Sequence, residues 1–488
     1  MKSNNQVQLV TYPNSLGGNL KELHINLQSH FNGCFQGGIH ILPPFPSSGD
    51  RGFSPITYFE IDPAFGSWDD IKNLSSEYSI MLDLMVNHIS RKSFFFQDVL
   101  LNGFQSEYID LFLTPEKIFK GITPKRDDID RIFLRRETPF STYKCSNSNE
   151  ILVFWTTFGK ENPSEQVDLD VASPQTLIFF EEVLQRFAQN GIKYIRLDAV
   201  GYISKKVGTS CFFVEPETTN FLEWFKHKAE SFKIEILPEV HAEPYIQKKL
   251  SLDGFWTYDF ILPFLVLHSI LSKNVYKLVN YLQNRTSTSF TMLDCHDGIP
   301  IIPDLNGIVP TDDAKMVINH CLKNGANLSK VFSSKHQHNS LDVHQIRCTF
   351  FSAIDENEDA YICARAIQLF IPGIPQIYYV GLLAGVNDEH AILKNGDGRE
   401  INRHNFSNDE IETATQRKVV QRLIKVIKLR NTHPALSGNF EANQESPHLL
   451  SIIWRNDTHQ CLLKIDLKKY VTLVSYTDEF GGKSNQYL

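Results

Sequence analysis

The chain has 488 residues, 42% of them hydrophobic and 12% aromatic, and a formal net charge of −8. That length and composition can bury a large core, arranged as one domain with insertions or as two to three domains. The acidic balance, with both signs interspersed, argues against non-specific nucleic-acid binding. The opening Met1–Gln6 has no apolar leader segment, and the longest apolar stretch, around Phe260–Leu271, is interrupted by Pro263 and His268 and is too short for a bilayer. Eight cysteines stand singly, without a C-x-x-C pair or a His cluster at metal-ligand spacing. A cytoplasmic, reduced protein without structural metal and without membrane or nucleic-acid partners is expected; oligomeric state has no signature here.

In chain order, Val7–Tyr12 reads as a strand, Leu20–Phe31 as an amphipathic helix, Gly38–Leu42 as a strand, Trp68–Tyr78 as a helix and Ile80–Asn87 as a strand. Ile80–Val86 is apolar on both faces, the mark of a parallel strand covered by helices. About a hundred residues then intervene, too many for a simple β–α unit, so a small domain is expected there. Helix Thr176–Ala188, strand Ile192–Ala199, helix Phe221–Phe232 and strands Ile234–Val240, Trp256–Phe260 and Thr291–Cys295 follow. A second insertion carries the polar run Ser333–Asn339, ahead of helix Ala360–Phe370 and strand Gln376–Val380. After helix Gln416–Arg430, short alternating runs at Leu449–Trp454, Gln460–Ile465 and Val471–Tyr476 predict a small antiparallel domain. The fold class is therefore α/β: a (β/α)₈ TIM barrel formed by 1–87, 167–297 and 356–435. It carries inserted subdomains at 88–166 and 298–355 and a C-terminal β domain at 436–488.

Chemistry in such a barrel sits at the C-terminal ends of the strands. Strand four ends in R-L-D-A-V-G, where Arg196 and Asp198 share one face. An arginine beside a carboxylate holds it ionised, as a nucleophile must be. Strand five ends at Glu239 in L-P-E-V-H, strand seven at Asp297 in L-D-C-H-D-G, and strand three in D-L-M-V-N-H, which adds His88 to the same rim. Three acids on one rim, with His88, His296 and Arg196, form a constellation suited to acid, base and nucleophilic work.

These four segments resemble the signature regions of the α-amylase superfamily (glycoside hydrolase family 13), and Gln166–Asp170, Q-V-D-L-D, resembles its fifth. The resemblance covers nearly the whole chain and is strongest to the sucrose phosphorylase branch. It is carried further by Leu42–Pro55, Val207–Phe212, Y-Y-V-G-L-L-A-G at Tyr378–Gly385 and G-R-E-I-N-R-H at Gly398–His404. It implies Asp198 as nucleophile, Glu239 as general acid/base and Asp297 as transition-state stabiliser of a retaining reaction, which needs nucleophile and acid roughly 5–5.5 Å apart. Asp50 and Arg399 match the pair that closes the glucose pocket, and Phe53 and Phe158 its apolar walls. Gln166 would sit near the attacked carbon, and His88 and His296 would donate to glucose hydroxyls. Tyr202, His241, Leu341 and Gln345 are substrate-facing by the same resemblance. No cofactor is implied; the partners are a small sugar and inorganic phosphate.

Two loops speak to the leaving group. Phe133–Thr138 reads F-L-R-R-E-T, with Arg135 and Arg136, and Asn339–Gln345 reads N-S-L-D-V-H-Q, with Asp342 and His344. Sucrose phosphorylases typically have Tyr where His344 stands; the forms here resemble the sucrose 6′-phosphate phosphorylases of the branch, in which an Arg and the His grip the fructose phosphate. Guanidinium suits phosphate through bidentate, permanently charged donors, and a histidine adds a donor whose strength depends on pH. The expectation is phosphorolysis of sucrose 6′-phosphate. The alternatives are plain sucrose or another α-glucoside (glucosylglycerol, glucosylglycerate), a hydrolase, and a non-catalytic binding barrel.

Overall fold

The computed structural model describes residues 5–241, 244–301, 307–330, 343–478 and 482–488, without the side chains of Lys330 and His344. Eight short strands carry the barrel: β1 (Gln8–Thr11), β2 (Gly38–Ile41), β3 (Ile80–Met85), β4 (Ile192–Asp198), β5 (Glu235–Pro238), β6 (Thr257–Asp259), β7 (Ser289–Thr291) and β8 (Ile374–Tyr378). They form one sheet in the order β6-β7-β8-β1-β2-β3-β4-β5. Its register pairs Gln8 with Gln376, Asp83 with Arg196 and Arg196 with Leu237, all in parallel. The fold is a (β/α)₈ barrel of the kind the alternation of strands and helices predicts.

By contact density the chain divides into two compact units, Met1–His40 with Ala242–Lys330 and Asn339–Leu488, and Ile41–His241 with Val331–His338. In the second unit every residue of β3 is buried, which explains the run that is apolar on both faces. The helix Trp68–Glu77 starts at a capping box, in which Ser67 and Asp70 satisfy each other's backbone N–H groups. The helix Pro174–Gln189 starts where Ser173 caps and Pro174 presets the first turn. Phe187 of that helix stacks on Phe45 at 5.7 Å, and Tyr58 and Trp68 close the cluster edge-on or tilted. Such aromatic packing adds about 0.5–1.5 kcal/mol per pair beyond burial. Between β3 and helix Pro174–Gln189 lie three short helices (Phe94–Asn102, Pro115–Phe119, Arg126–Asp130), the antiparallel pair Phe140–Lys144 and Ile151–Trp155, and the pair His88–Ser90 with Gln166–Asp168.

In the first unit the apolar stretch near Phe260 becomes helix Leu262–Ser272, in which every residue from Leu262 to Ile270 is buried. Five antiparallel strands, Asn439–Ser446, Leu449–Asn456, His459–Asp466, Val471–Thr477 and Lys483–Tyr487, form a C-terminal meander. Its first and last strands escape the sequence reading because edge strands bury few side chains and so lack the apolar alternation. β7 lies earlier than the predicted Thr291–Cys295, because past Thr291 the backbone leaves the ladder and Cys295 folds back on Gly298 through two 3.0 Å hydrogen bonds. The run Ser333–Asn339 lies outside the described residues. Among the described residues no helix is long and apolar enough to cross a membrane.

Candidate active site

In the second unit the C-terminal ends of β3, β4 and β5 bring Asp83, Arg196, Asp198 and Glu239 together. The two-residue alternation of β4 puts Arg196 and Asp198 on one face, and the parallel register sets Asp83 beside Arg196. The guanidinium bonds Asp83 Oδ1 at 2.5 Å and Asp198 Oδ1 at 2.8 Å through Nη1, and Glu239 Oε1 at 3.3 Å through Nη2. Asp83 is fully buried, whereas Asp198 and Glu239 keep 14% and 20% of their side chains exposed. Glu239 Oε2 also accepts from the Ala199 amide at 3.2 Å, at a left-handed Ala199 (φ 56°) that ends the strand. The Phe53 ring lies 5.8 Å from the Arg196 guanidinium carbon.

His88 and Gln166 meet on the Phe53 carbonyl, which accepts from His88 Nε2 at 2.9 Å and Gln166 Nε2 at 3.2 Å. A carbonyl can only accept, so in the neutral ring Nε2 carries the hydrogen and Nδ1 is an acceptor. His88 Nδ1 and Gln166 Oε1 are buried without a partner among the described residues. Burial holds His88 below the usual histidine range, against the pull of Asp168 and Asp50.

Phe158 packs on His88 at 5.3 Å and on Tyr202 at 5.0 Å. Arg135 sits 6.0 Å from the Phe158 centroid and hydrogen-bonds the Tyr202 hydroxyl, which burial pushes up to about 12. Both Asp198 and Glu239 add to that shift, so Arg135 and Tyr202 lie within electrostatic reach of the two acids. Arg136 differs from its neighbour. Its Nη1 donates to Ser141 Oγ, Thr156 Oγ1 and the Phe158 carbonyl at 3.2–3.4 Å, and its Nη2 to the Glu161 carbonyl at 3.0 Å. The Arg136 guanidinium is engaged by protein groups on both of its terminal nitrogens. Asp50 lies in the turn Asp50–Gly52 in the left-handed region, and His241 follows β5 two residues after Glu239.

In the first unit Asp297 accepts from Arg399 Nη1 at 3.3 Å, from Arg403 Nη2 at 3.5 Å and faces His296 Nε2 at 3.5 Å. Arg403 also donates to the His296 carbonyl at 2.8 Å, and Asn402 to the Cys295 carbonyl at 2.8 Å. The turn is held from below by a fully buried pair, Arg365 Nη2 with Asp294 Oδ1 at 2.7 Å. Gly298 has φ +114°, and a Cβ there would come within 2.3 Å of the Ile346 carbonyl. Gln345 is buried in strand Val343–Arg347, next to Ile346. Leu341, Asp342 and the His344 side chain fall outside the described residues.

Four residues escape the sequence reading. Asp83 had a signal, because an acid inside an all-apolar strand needs a cationic partner. Arg403 and Arg347 had none. Arg347 is held below the usual guanidinium range by burial and by Arg399 and Arg403, against the pull of Asp297. Lys205 is indistinguishable in sequence from its neighbour Lys206, which is half exposed and pairs with Glu217.

A model of the α-amylase catalytic domain matches residues 36–260. A sucrose 6(F)-phosphate phosphorylase of Thermoanaerobacterium thermosaccharolyticum is 53% identical over 489 residues, spanning 100% of both chains. The chain belongs to the phosphorylase branch of the α-amylase family. A glucosylglycerol phosphorylase of Marinobacter adhaerens is 41% identical over 98% of both chains. The crystal structure of sucrose 6F-phosphate phosphorylase from Thermoanaerobacter thermosaccharolyticum superposes with a TM-score of 0.97 at 52% identity, covering 100% of this chain and 98% of that one. The α-amylase signature segments fall here at the C-terminal ends of β3, β4 and β5 and just past β7.

Proposed function

We propose that the chain is a retaining, glucosyl-transferring phosphorylase that converts sucrose 6′-phosphate and inorganic phosphate into α-glucose 1-phosphate and fructose 6-phosphate. The observation that carries this reading is end-to-end similarity, at 53% identity, to a phosphorylase of that name. The geometry of the second unit supports the roles. Asp198, fixed by Arg196, attacks C1 of the glucosyl unit while Glu239 protonates the departing glycosidic oxygen, and fructose 6-phosphate leaves. A phosphate oxygen then attacks C1 of the glucosyl-Asp198 ester, Glu239 takes its proton, and two inversions give net retention. The guanidinium makes its two short contacts with Asp83 and Asp198 and its long one with Glu239. That leaves Glu239 the carboxyl least tied to a cation, which suits the group that must carry and return a proton. Asp297, oriented by Arg399 and Arg403, stabilises the oxocarbenium-like centre and holds sugar hydroxyls. Arg135, held at Tyr202 and Phe158, is the arginine of the pair assigned to phosphate, with His344 as its partner; Arg136 shapes the loop that presents it.

The test is incubation with phosphate and, in parallel, sucrose 6′-phosphate, sucrose or glucosylglycerol. Glucose 1-phosphate formed with a kcat/KM highest for sucrose 6′-phosphate is the expected result. Free glucose would make the protein a hydrolase, and a preference for sucrose or glucosylglycerol would refute the phosphorylated substrate.

A further inference from the structure

Besides Arg196, a second buried cation of the second unit is Lys205, whose side chain is only 2% exposed. Its Nζ lies 3.0 Å from Asp168 Oδ2 and 3.0 Å from Asn87 Oδ1, also contacts the Tyr202 carbonyl, and sits 5.8 Å from the Trp155 ring centroid. Asp168 is fully buried, with Oδ1 accepting from the Thr157 amide at 2.8 Å and Oδ2 from its hydroxyl at 2.5 Å. In the short ladder of His88–Ser90 with Gln166–Asp168, Asp168 stands directly opposite His88. The ammonium thus ties together the residue before His88, the turn leading to Phe158, the strand of Gln166 and the segment of Tyr202.

We infer that Lys205 is a positioning residue whose charge offsets Asp168 and so keeps His88 in the neutral form, with Nδ1 available to accept a hydrogen bond from a substrate hydroxyl. The part concerning substrate rests on the proposed phosphorylase reading; the electrostatic part does not. The charged groups that face His88 are Asp168 from the opposite strand, Asp50 from the Asp50–Gly52 turn and Lys205. The two carboxylates favour an imidazolium, which would present a hydrogen at Nδ1 and repel a hydroxyl aligned to donate there. Lys205 opposes them from a buried position where screening by solvent is weak. Desolvation is the largest influence and acts in the same direction; Lys205 cancels the buried Asp168 charge that would otherwise work against it.

The experiment follows the His88 ring directly. In protein labelled with ¹⁵N-histidine, long-range ¹H–¹⁵N correlations report the protonation midpoint, with His88→Gln assigning the signal. The wild-type midpoint is expected below the ordinary value of about 6.5. Lys205→Met should raise it measurably, Lys205→Arg should leave it in place, and Lys205→Met/Asp168→Asn, which removes both charges, should restore it. Asp168→Asn alone should lower it, and this keeps the test decisive if Lys205→Met does not fold. The acid limb of kcat/KM for phosphorolysis should move with the NMR midpoint. An unmoved midpoint in Lys205→Met or Asp168→Asn overturns the inference, as does a moved midpoint with an unmoved acid limb. Absence of phosphorolysis in the wild-type protein sinks only the functional reading, because the midpoints are measured without substrate.

Discussion

Replacing Arg135 and Arg136 singly by alanine separates two roles that adjacent, chemically identical side chains conceal in the sequence. Arg136→Ala removes four donor contacts, yet most of its partners keep another: Ser141 Oγ and Thr156 Oγ1 remain bonded to each other at 2.9 Å, and the Phe158 carbonyl still accepts from Ser164 Oγ at 2.8 Å. Only the Glu161 carbonyl loses a donor with none given in its place. The expected loss is about 2 kcal/mol of stability, set by one orphaned acceptor plus weakened contacts of 3.2–3.4 Å. The ratio of kcat/KM for sucrose 6′-phosphate over sucrose should stay within about threefold of wild type. Arg135→Ala should barely change the urea midpoint, because cation–π and hydroxyl contacts at partly exposed sites are worth about 1 kcal/mol. It should lower the ratio by roughly 30- to 150-fold, the equivalent of a charge-assisted phosphate contact of about 2–3 kcal/mol. The assays are urea denaturation and initial rates of glucose 1-phosphate release on the two sugars. A collapse of the ratio in Arg136→Ala at unchanged stability, or an unchanged ratio in Arg135→Ala, would refute the division.

Asp198→Asn should lower kcat by at least about a thousandfold, leave the thermal midpoint within a few degrees and abolish trapping of a glucosyl-enzyme, checked by intact mass after acid quench. Asp83→Asn, which never meets substrate, should cost about 2–4 kcal/mol of stability and reduce kcat, because a buried arginine loses its 2.5 Å partner; equal stability by urea titration would remove the structural role. Gly298→Ala should lower kcat with a loss of about 1–3 kcal/mol, through left-handed strain and the clash with the Ile346 carbonyl. His404 donates from Nδ1 to Asp388 at 2.7 Å and from Nε2 to Glu410 at 3.0 Å, and the two carboxylates raise its pKa. A raised histidine stabilises fully below its unfolded value of about 6.5, and the contribution is lost as pH rises through the folded value. Asp388 and Glu410 are lowered, so theirs is present above about 4 and lost as pH falls. The clamp is therefore strongest between about pH 5 and 6.5, and His404→Gln should flatten the decline of the urea midpoint above that window.

Seven of the eight barrel strands were legible in place, and the seventh was displaced toward the C-terminus, because apolar or β-branched runs with flanking helix-period segments mark buried parallel strands without any alternation. What the sequence concealed was where strands end and which charges pair. The run Thr291–Cys295 reads as a strand by composition, but only Thr291 meets a barrel ladder partner, and the residues after it lead into the Asp297 turn. Arg196 with Asp198 was readable because two residues on one strand share a face. Asp83 with Arg196 and Lys205 with Asp168 were not, since each joins residues far apart in the chain, the first through a strand register and the second through a loop, that no single segment encodes. The two arginines of F-L-R-R-E-T differ only in what the folded insertion offers each side chain.

The pattern of sharing has a chemical reason. An aspartate in a one-to-one pair with a buried guanidinium would be held as an anion but weakened as a nucleophile by the undivided positive charge. Here one guanidinium is divided among three carboxylates, and its shortest contact goes to Asp83, which is fully buried and takes no part in the reaction. Asp83 thus absorbs part of the cation's field, and Asp198 stays oriented by a 2.8 Å contact with more of its negative charge uncompensated, as the proposed nucleophilic role requires. Lys205 and Asp168 repeat the device as two buried charges cancelling each other near His88. On the proposed reading, substitutions at Asp83 and Lys205 should therefore alter chemistry at atoms they do not contact.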